Sequence, residues 1–254
     1  VIPVSYFVPS EQTSPMFAYA FAKGCGGTIT DDLDYLFDGP VAAFGSPPVW
    51  PVLRMAQAAG VDWIYGDHGY LGRGKYYRIT KNAYQHDGTG PGSAGRFEAF
   101  RRPIQPWRKT GRHILICPNS NVYFNLHGID AAKWLRTVQA ELRQHTDREI
   151  RVRWKNQARF NPISNDLKNA WAVVVFSSAA AIDGLIVGVP CVTLAPFAAT
   201  VRMGLTDLSN IEAPIYPADR ESFLHALAAN QFTIQEMLDG KAWRHIRAAE
   251  EQAA

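Results

Sequence analysis

WAVVVFSSAAAIDGLIVGVPCVTLAP, residues 171–196, is the stretch on which the fold turns. Val173, Val174, Val175 and Phe176 form a short apolar run with β-branched side chains, the pattern of a buried strand. Ser177 and Ser178 follow, and residues 179–187 are small and apolar enough to predict a helix packed on a sheet. Gly188-Val189-Pro190 ends that helix, and residues 191–194 (CVTL) read as the next parallel strand. Such a unit aims a helix N-terminus at the carboxyl edge of the sheet. Its N–H groups and the small residues Ser177, Ser178 and Ala179 leave room there for a phosphate or diphosphate. Plain core packing of the same helix is the competing reading.

Working outward, 254 residues suffice for one large α/β domain or two modest ones, and a hydrophobic fraction of 47% supports a real core. No internal repeat is visible. No run of 18 apolar residues is present, which argues against a membrane-spanning helix. The start, VIPVSYFVP, lacks a basic leader region and reads as a first strand rather than a signal peptide. Cys25, Cys117 and Cys191 have no metal-ligand spacing and fit buried thiols in a reducing compartment, hence a cytoplasmic protein. The net charge of +3 is unevenly spread. Residues 1–69 carry 2 Lys/Arg against 7 Asp/Glu, residues 70–112 carry 10 against 2, and the remainder balances at 14 against 14. The middle segment is where a polyanion or a phosphate-rich ligand is suggested.

In the first half, residues 4–8 predict a strand, 14–23 a helix, 41–44 a strand, 49–60 a helix and 62–65 a strand. That last strand is expected to break at Gly66-Asp67-His68-Gly69-Tyr70. The glycines would let the backbone turn sharply, leaving Asp67 and His68 just past the strand's carboxyl end. Either could take a proton from a hydroxyl, and a capped turn with a packed histidine is the bland alternative. Gly24, Gly26 and Gly27 form a turn that is not a dinucleotide fingerprint. Asp31, Asp32, Asp34 and Asp38 read as a solvated acidic edge, because their spacing does not match a calcium loop. Next, Arg73, Lys75, Arg78 and Lys81 interleave with Tyr76 and Tyr77. That mixture suits a phosphate backbone with stacked bases, a small anionic ligand, or an exposed surface. Residues 86–111, rich in Gly, Pro and Arg, read as a mobile loop and an interdomain connector. Arg101 and Arg102 there would face solvent or ligand.

A second α/β unit begins at His113. Residues 113–117 predict a strand with Asn119 and Ser120 at its carboxyl end, 130–145 a helix, and 149–154 a strand with Arg151 and Arg153 on one side and Lys155 at its end. Those cations could meet a diphosphate or lie on an exposed edge. Residues 166–169 predict a short helix, Gly204-Leu205-Thr206 a tight loop near Ser177-Ser178, and 215–217 a last strand. Asp219 is expected to cap a helix over 221–229, and 233–238 and 241–254 form a helical tail. The expected architecture is α/β, two Rossmann-like domains facing across a cleft. Residues 1–110 would form the acceptor-side domain, 111–230 the donor-binding domain and 231–254 the tail.

The second half resembles the donor domain of GT-B-type glycosyltransferases, most closely the capsular-polysaccharide and surface-glycan group. The resemblance rests on Ser177-Ser178, Asp183, Gly188-Val189-Pro190 and Gly204-Leu205-Thr206, within residues 112–230. It implies a nucleotide-sugar donor, with UDP as the expected carrier, held by Asn119, Ser120, Arg153, Lys155, Ser177, Ser178, Ala179, Asp183, Gly204, Leu205 and Thr206. Asp183 would reach a ribose hydroxyl, Asp67 or His68 would be the base, and no metal is expected. The group often carries a basic residue–His–Pro element where this chain has Arg153-Trp154-Lys155-Asn156. No His-Pro dipeptide occurs here, which argues against a CMP-linked acidic sugar.

For the acceptor, the basic tyrosine-rich segment favours double-stranded DNA with hydroxylated bases, by analogy with compact glycosyltransferases of bacterial viruses working in the host cytoplasm. Arg73, Lys75, Tyr76, Tyr77, Arg78, Lys81, Arg101 and Arg102 would then hold the nucleic acid. A surface polysaccharide or a small hydroxylated acceptor is the alternative. A sugar-nucleotide epimerase or phosphorylase and a non-catalytic binding module are the remaining classes.

Overall fold

A computed structural model describes residues 1–34, 38–155 and 161–253. Asn156 and Ala254 lie outside the described residues. The chain divides into two units, residues 1–86 with 230–254 and residues 87–229.

The first unit opens with β1 (Val4–Tyr6), α1 (Thr13–Cys25), β2 (Thr28–Thr30), β3 (Val41–Phe44), α2 (Trp50–Ala58), β4 (Trp63–His68) and β5 (Tyr77–Lys81). Strands β1 to β4 are mutually parallel, and β5 runs antiparallel to β4. Every residue of β3 is buried, which is why VAAF is apolar throughout. Helix α1 buries Phe17, Phe21 and Cys25 against the sheet and ends at Gly26, whose φ of 76° is the left-handed cap that glycine adopts without strain. It lies close over β4: a Cβ on Gly66 would stand 2.3 Å from the Phe17 ring. Gly66 is therefore a packing glycine inside β4. The expected break there does not occur, because β5 pairs with β4 as far as His68.

The second unit holds α3 (Ala94–Glu98), β6 (His113–Cys117), α4 (Asn121–Leu126), α5 (Ala131–His145), β7 (Glu149–Val152), α6 (Ile163–Leu167), β8 (Ala170–Val175), α7 (Ala180–Ile186), β9 (Cys191–Thr193), β10 (Gly204–Leu205) and α8 (Arg220–Ala229). Its sheet is parallel throughout, in the order β10-β9-β8-β6-β7. The β8–α7–β9 unit is the one read from residues 171–196. Residues 215–217 form no strand, and the Ile215 side chain is exposed.

Residues 87–110 pack within this unit, so the division falls after residue 86 rather than near 110. Gly88 lies flat on Phe223 and Gly92 on His225, at distances that a Cβ would reduce to 1.9 and 2.6 Å. Ser93 caps α3, which buries Phe97. Further on, the Gln105 N–H donates to the Ile186 carbonyl (2.8 Å) and the Arg108 N–H to the Gly188 carbonyl (2.7 Å). The small residues that read as a mobile loop serve close backbone approach instead.

The chain then returns to the first unit through β11 (Gln231–Phe232), α9 (Ile234–Leu238) and α10 (Lys241–Ala253). Thr233 and Glu236 form a reciprocal capping box at the start of α9. Strand β11 extends the sheet to the order β11-β5-β4-β3-β1-β2. Phe232, Met237 and Ile246 join Phe17, Phe21 and Phe44 in one apolar cluster. What read as a separate helical tail completes the first unit's core.

Candidate active site

At the carboxyl end of β4, Asp67 stands opposite Arg78 of β5 and His68 opposite Tyr77. Neighbouring strand residues face opposite sides of a sheet, so the two side chains leave β4 on different faces. Asp67 shares a face with Tyr65, whose hydroxyl donates to its Oδ2 (3.4 Å). Arg78 reaches the same oxygen at 2.5 Å, and the His68 backbone N–H donates to Oδ1 at 2.6 Å. His68 is exposed on the other face, its ring edge-on to Phe44 at 5.3 Å and 6.0 Å from Tyr77.

The basic tyrosine-rich segment does not present one surface. Arg78 is buried, donates to the His68 carbonyl (3.0 Å) and lies 4.8 Å above the Tyr70 ring. Tyr77 belongs to the apolar cluster. Lys81 is held between Asp62 (2.6 Å) and Glu250 (2.5 Å). Arg73 and Lys75 are exposed, Lys75 lying 5.7 Å over the half-buried ring of Tyr76. Strand β5 is buried on both faces from Tyr77 to Thr80, which takes Tyr77 and Arg78 out of the expected contact surface.

In the second unit β6, β8 and β9 stop close to one another, and the turns after them carry several predicted residues. Asn119 and Ser177 clasp each other: the amide donates to Ser177 Oγ, and the Ser177 N–H to Asn119 Oδ1, each at 3.1 Å. Ser120 Oγ caps α4 through the Tyr123 N–H. Ser178 and Ala179 are half-buried. The first N–H groups of α7 are used locally: that of Ala180 meets Ser178 Oγ (3.3 Å), that of Ala181 the Ser178 carbonyl (3.2 Å), and those of Ile182 and Asp183 the Ala179 carbonyl (3.0 and 3.2 Å). The open donors expected there for a phosphate are thus already engaged.

Asp183 accepts from Arg102 at 2.6 Å. Arg153, buried, is ion-paired to Asp166 and donates to the Asn161 carbonyl at 2.5 Å. Lys155 is exposed beyond β7, a strand separated from β8 by β6. Gly204 and Leu205 are an edge strand rather than a loop. They pair with Cys191 and Val192, which puts β9 between them and β8, about 9.5 Å from its axis. A Cβ on Gly204 would fall 2.0 Å from the Cys191 carbonyl oxygen, so close strand pairing is what that glycine serves. Thr206, just past β10, is exposed.

Sequence reasoning missed an aromatic group at this edge. His127, just past α4, stacks on Phe197 at 4.8 Å and 20°, and Phe176 lies across both. The Ser120 cap, with its bond to the Tyr123 N–H, was the signal that could have revealed α4. Burial pushes the thiols of Cys117 and Cys191 up to about 12, which makes them inert packing groups rather than nucleophiles. Among the described residues no cluster of three or more His, Cys, Asp or Glu is disposed to hold a metal ion, and no helix is long and apolar enough to cross a membrane.

No protein-family model matches the chain. No curated protein sequence matches it. Solved structures do. One is the β-Kdo 2,4 transferase of Thermosulfurimonas dismutans KpsC, 12% identical, with a TM-score of 0.52 over 93% of this chain and 98% of that one. Another is the β-Kdo 2,7 transferase of the same KpsC, also 12% identical, with a TM-score of 0.53 over 96% of this chain and 100% of that one. At that identity the likeness is one of fold: the two units have the GT-B-like α/β architecture.

Proposed function

We propose that the chain is a nucleotide-sugar-dependent glycosyltransferase whose acceptor is a hydroxyl of a surface glycan or related saccharide. The observation that carries this reading is the end-to-end likeness to two sugar transferases, which spans nearly the whole of both chains. A shared fold alone is compatible with many chemistries. The clasped Asn119–Ser177 turn and the aromatic group at the same sheet edge add a place where a nucleotide would be held.

In this reading residues 87–229 bind the donor and the first unit supplies the base. The acceptor oxygen attacks the anomeric carbon as the bond from that carbon to the phosphate oxygen breaks. The hydroxyl proton passes to the base, and the electron pair of the broken bond leaves with the nucleotide. We assign the base to His68, since three donors already converge on the Asp67 carboxylate. Asp67 then fixes the end of β4. UDP is the proposed carrier, and the cytoplasm, where buried free cysteines persist, is the proposed compartment.

The DNA acceptor fares less well, because Tyr77, Arg78 and Lys81 are engaged internally. The test is a mass-spectrometric screen of UDP- and CMP-linked sugars against oligosaccharides, hydroxymethylated duplex DNA and a donor-only control. One glycosyl unit added to a saccharide is the expected result. Addition to DNA alone would restore the nucleic-acid reading, and donor conversion without acceptor would replace the transferase with an epimerase or phosphorylase. No turnover and no nucleotide binding would overturn it.

A further inference from the structure

Transfer from a nucleotide sugar leaves negative charge on phosphate, and positive groups must meet it. Arg153, the cation favoured by sequence, is spent on Asp166, and Lys155 stands two strands from β8. The first-turn N–H groups of α7 are occupied. A different basic pair lies beside α7. Residues 102–108 run along α7 in step with it: Arg102 meets Asp183 near its start, Gln105 meets Ile186 at its last residue, and Arg108 meets Gly188 just beyond. Residues 101 and 102 therefore lie toward the N-terminal half of α7.

Arg101 holds a φ of 53°, the left-handed region that a residue with a Cβ seldom occupies. Strain of that kind persists where surrounding structure requires it and gathers at ligand sites. Arg101 and Arg102 line a cavity of about 560 Å³ together with Phe97, Ile104 and His225. Glu98 and Glu221 line it as well, and Glu221 approaches His225 at 3.9 Å. The side chain of Arg102 keeps 33% of its surface exposed, while Asp183 keeps 17%.

We propose that Arg101 and Arg102 hold the phosphate of the donor nucleotide, with Asp183 occupying Arg102 until that phosphate arrives. The proposal rests on the transferase reading and names the anion-binding groups of its donor site. A guanidinium fork matches a phosphate as well as it matches a carboxylate, so exchanging one for the other needs only a short movement.

The experiment is calorimetric titration of the full chain with inorganic pyrophosphate, uridine diphosphate and cytidine monophosphate. R102Q should weaken the preferred nucleotide and pyrophosphate about tenfold or more, and R101Q by several-fold. D183N, which frees Arg102 without removing it, should tighten pyrophosphate about threefold. R151Q, an exposed cation on the edge strand β7, should change nothing. A merely structural ion pair predicts instead that R102Q and D183N lower the melting temperature and weaken binding together, and that outcome overturns the proposal. Unchanged affinity in R102Q overturns it while leaving the transferase reading intact. Failure of the wild-type chain to bind any of the three ligands removes both.

Discussion

Strand β4 continues past Gly66 through Asp67 and His68 because β5 pairs with it to the end, whereas β6, β8 and β9 give way to turns and helices beyond Cys117, Val175 and Thr193. In the first unit the titratable groups therefore ride on a paired strand and are divided between its faces. In the second, small and amide side chains gather in turns, joined by bonds such as Asn119–Ser177. A parallel sheet leaves an open edge where loops can hold a ligand. An antiparallel neighbour closes that edge and gives rigid placement to individual side chains instead. In the proposed transferase the first unit would position one reactive group and the second would surround a nucleotide.

The sharpest way to break this contrast is to substitute Asp67 and His68 separately. His68→Ala is expected to lower kcat by about 10²- to 10⁴-fold with nucleotide affinity unchanged. Asp67→Asn should lower kcat far less and reduce the melting temperature, because Arg78 loses its charged partner. Equal losses in steady-state kinetics would mean that the two faces of β4 are not separate.

Next in size, Gly66→Ala drives a methyl group toward the Phe17 ring and should cost about 1–3 kcal/mol in urea unfolding. Gly184→Ala in α7, whose new Cβ would meet Val173 at 3.0 Å, should cost less. A larger penalty at Gly184 would show the second unit to be the more tightly packed of the two.

These glycines explain which parts of the chain were legible. Residues 171–196 were readable because strands buried on both faces are unbroken apolar runs and the glycine after α7 marks its end. Gly66 was misread because a glycine that makes room for a ring looks, in one dimension, like one that makes a turn. The same confusion made residues 87–110 look mobile, although Gly88 and Gly92 press on Phe223 and His225. Strands β2, β10 and β11 have three or two residues and carry no periodicity to detect. The positions of Asn119, Ser177 and Ser178 just past the ends of strands were legible. The pairing of Arg102 with Asp183, 81 positions apart, was not.

Two smaller effects sharpen the contrast further. Asn119→Ala removes both bonds to Ser177 and should weaken nucleotide binding by about 1 kcal/mol in titration, with kcat at saturation little changed. The smallest concerns His113, whose imidazole is held below its ordinary value by burial, opposed in part by the Asp166 carbonyl. The unfolded chain takes up a proton near pH 6.5 that the folded one refuses, so stability should fall as pH drops through that value toward the lowered one. Urea midpoints measured from pH 7 to pH 5 should flatten in His113→Gln.

Phe232, Met237 and Ile246 close the apolar cluster begun by Phe17 and Phe21, yet residues 87–229 intervene between them. During synthesis on the ribosome the first 86 residues thus emerge well before the segment that seals them, while the inserted unit is continuous and able to fold in the meantime. Those early strands wait with an uncovered flank, and a chaperone that recognises exposed aromatic surface would find its substrate there.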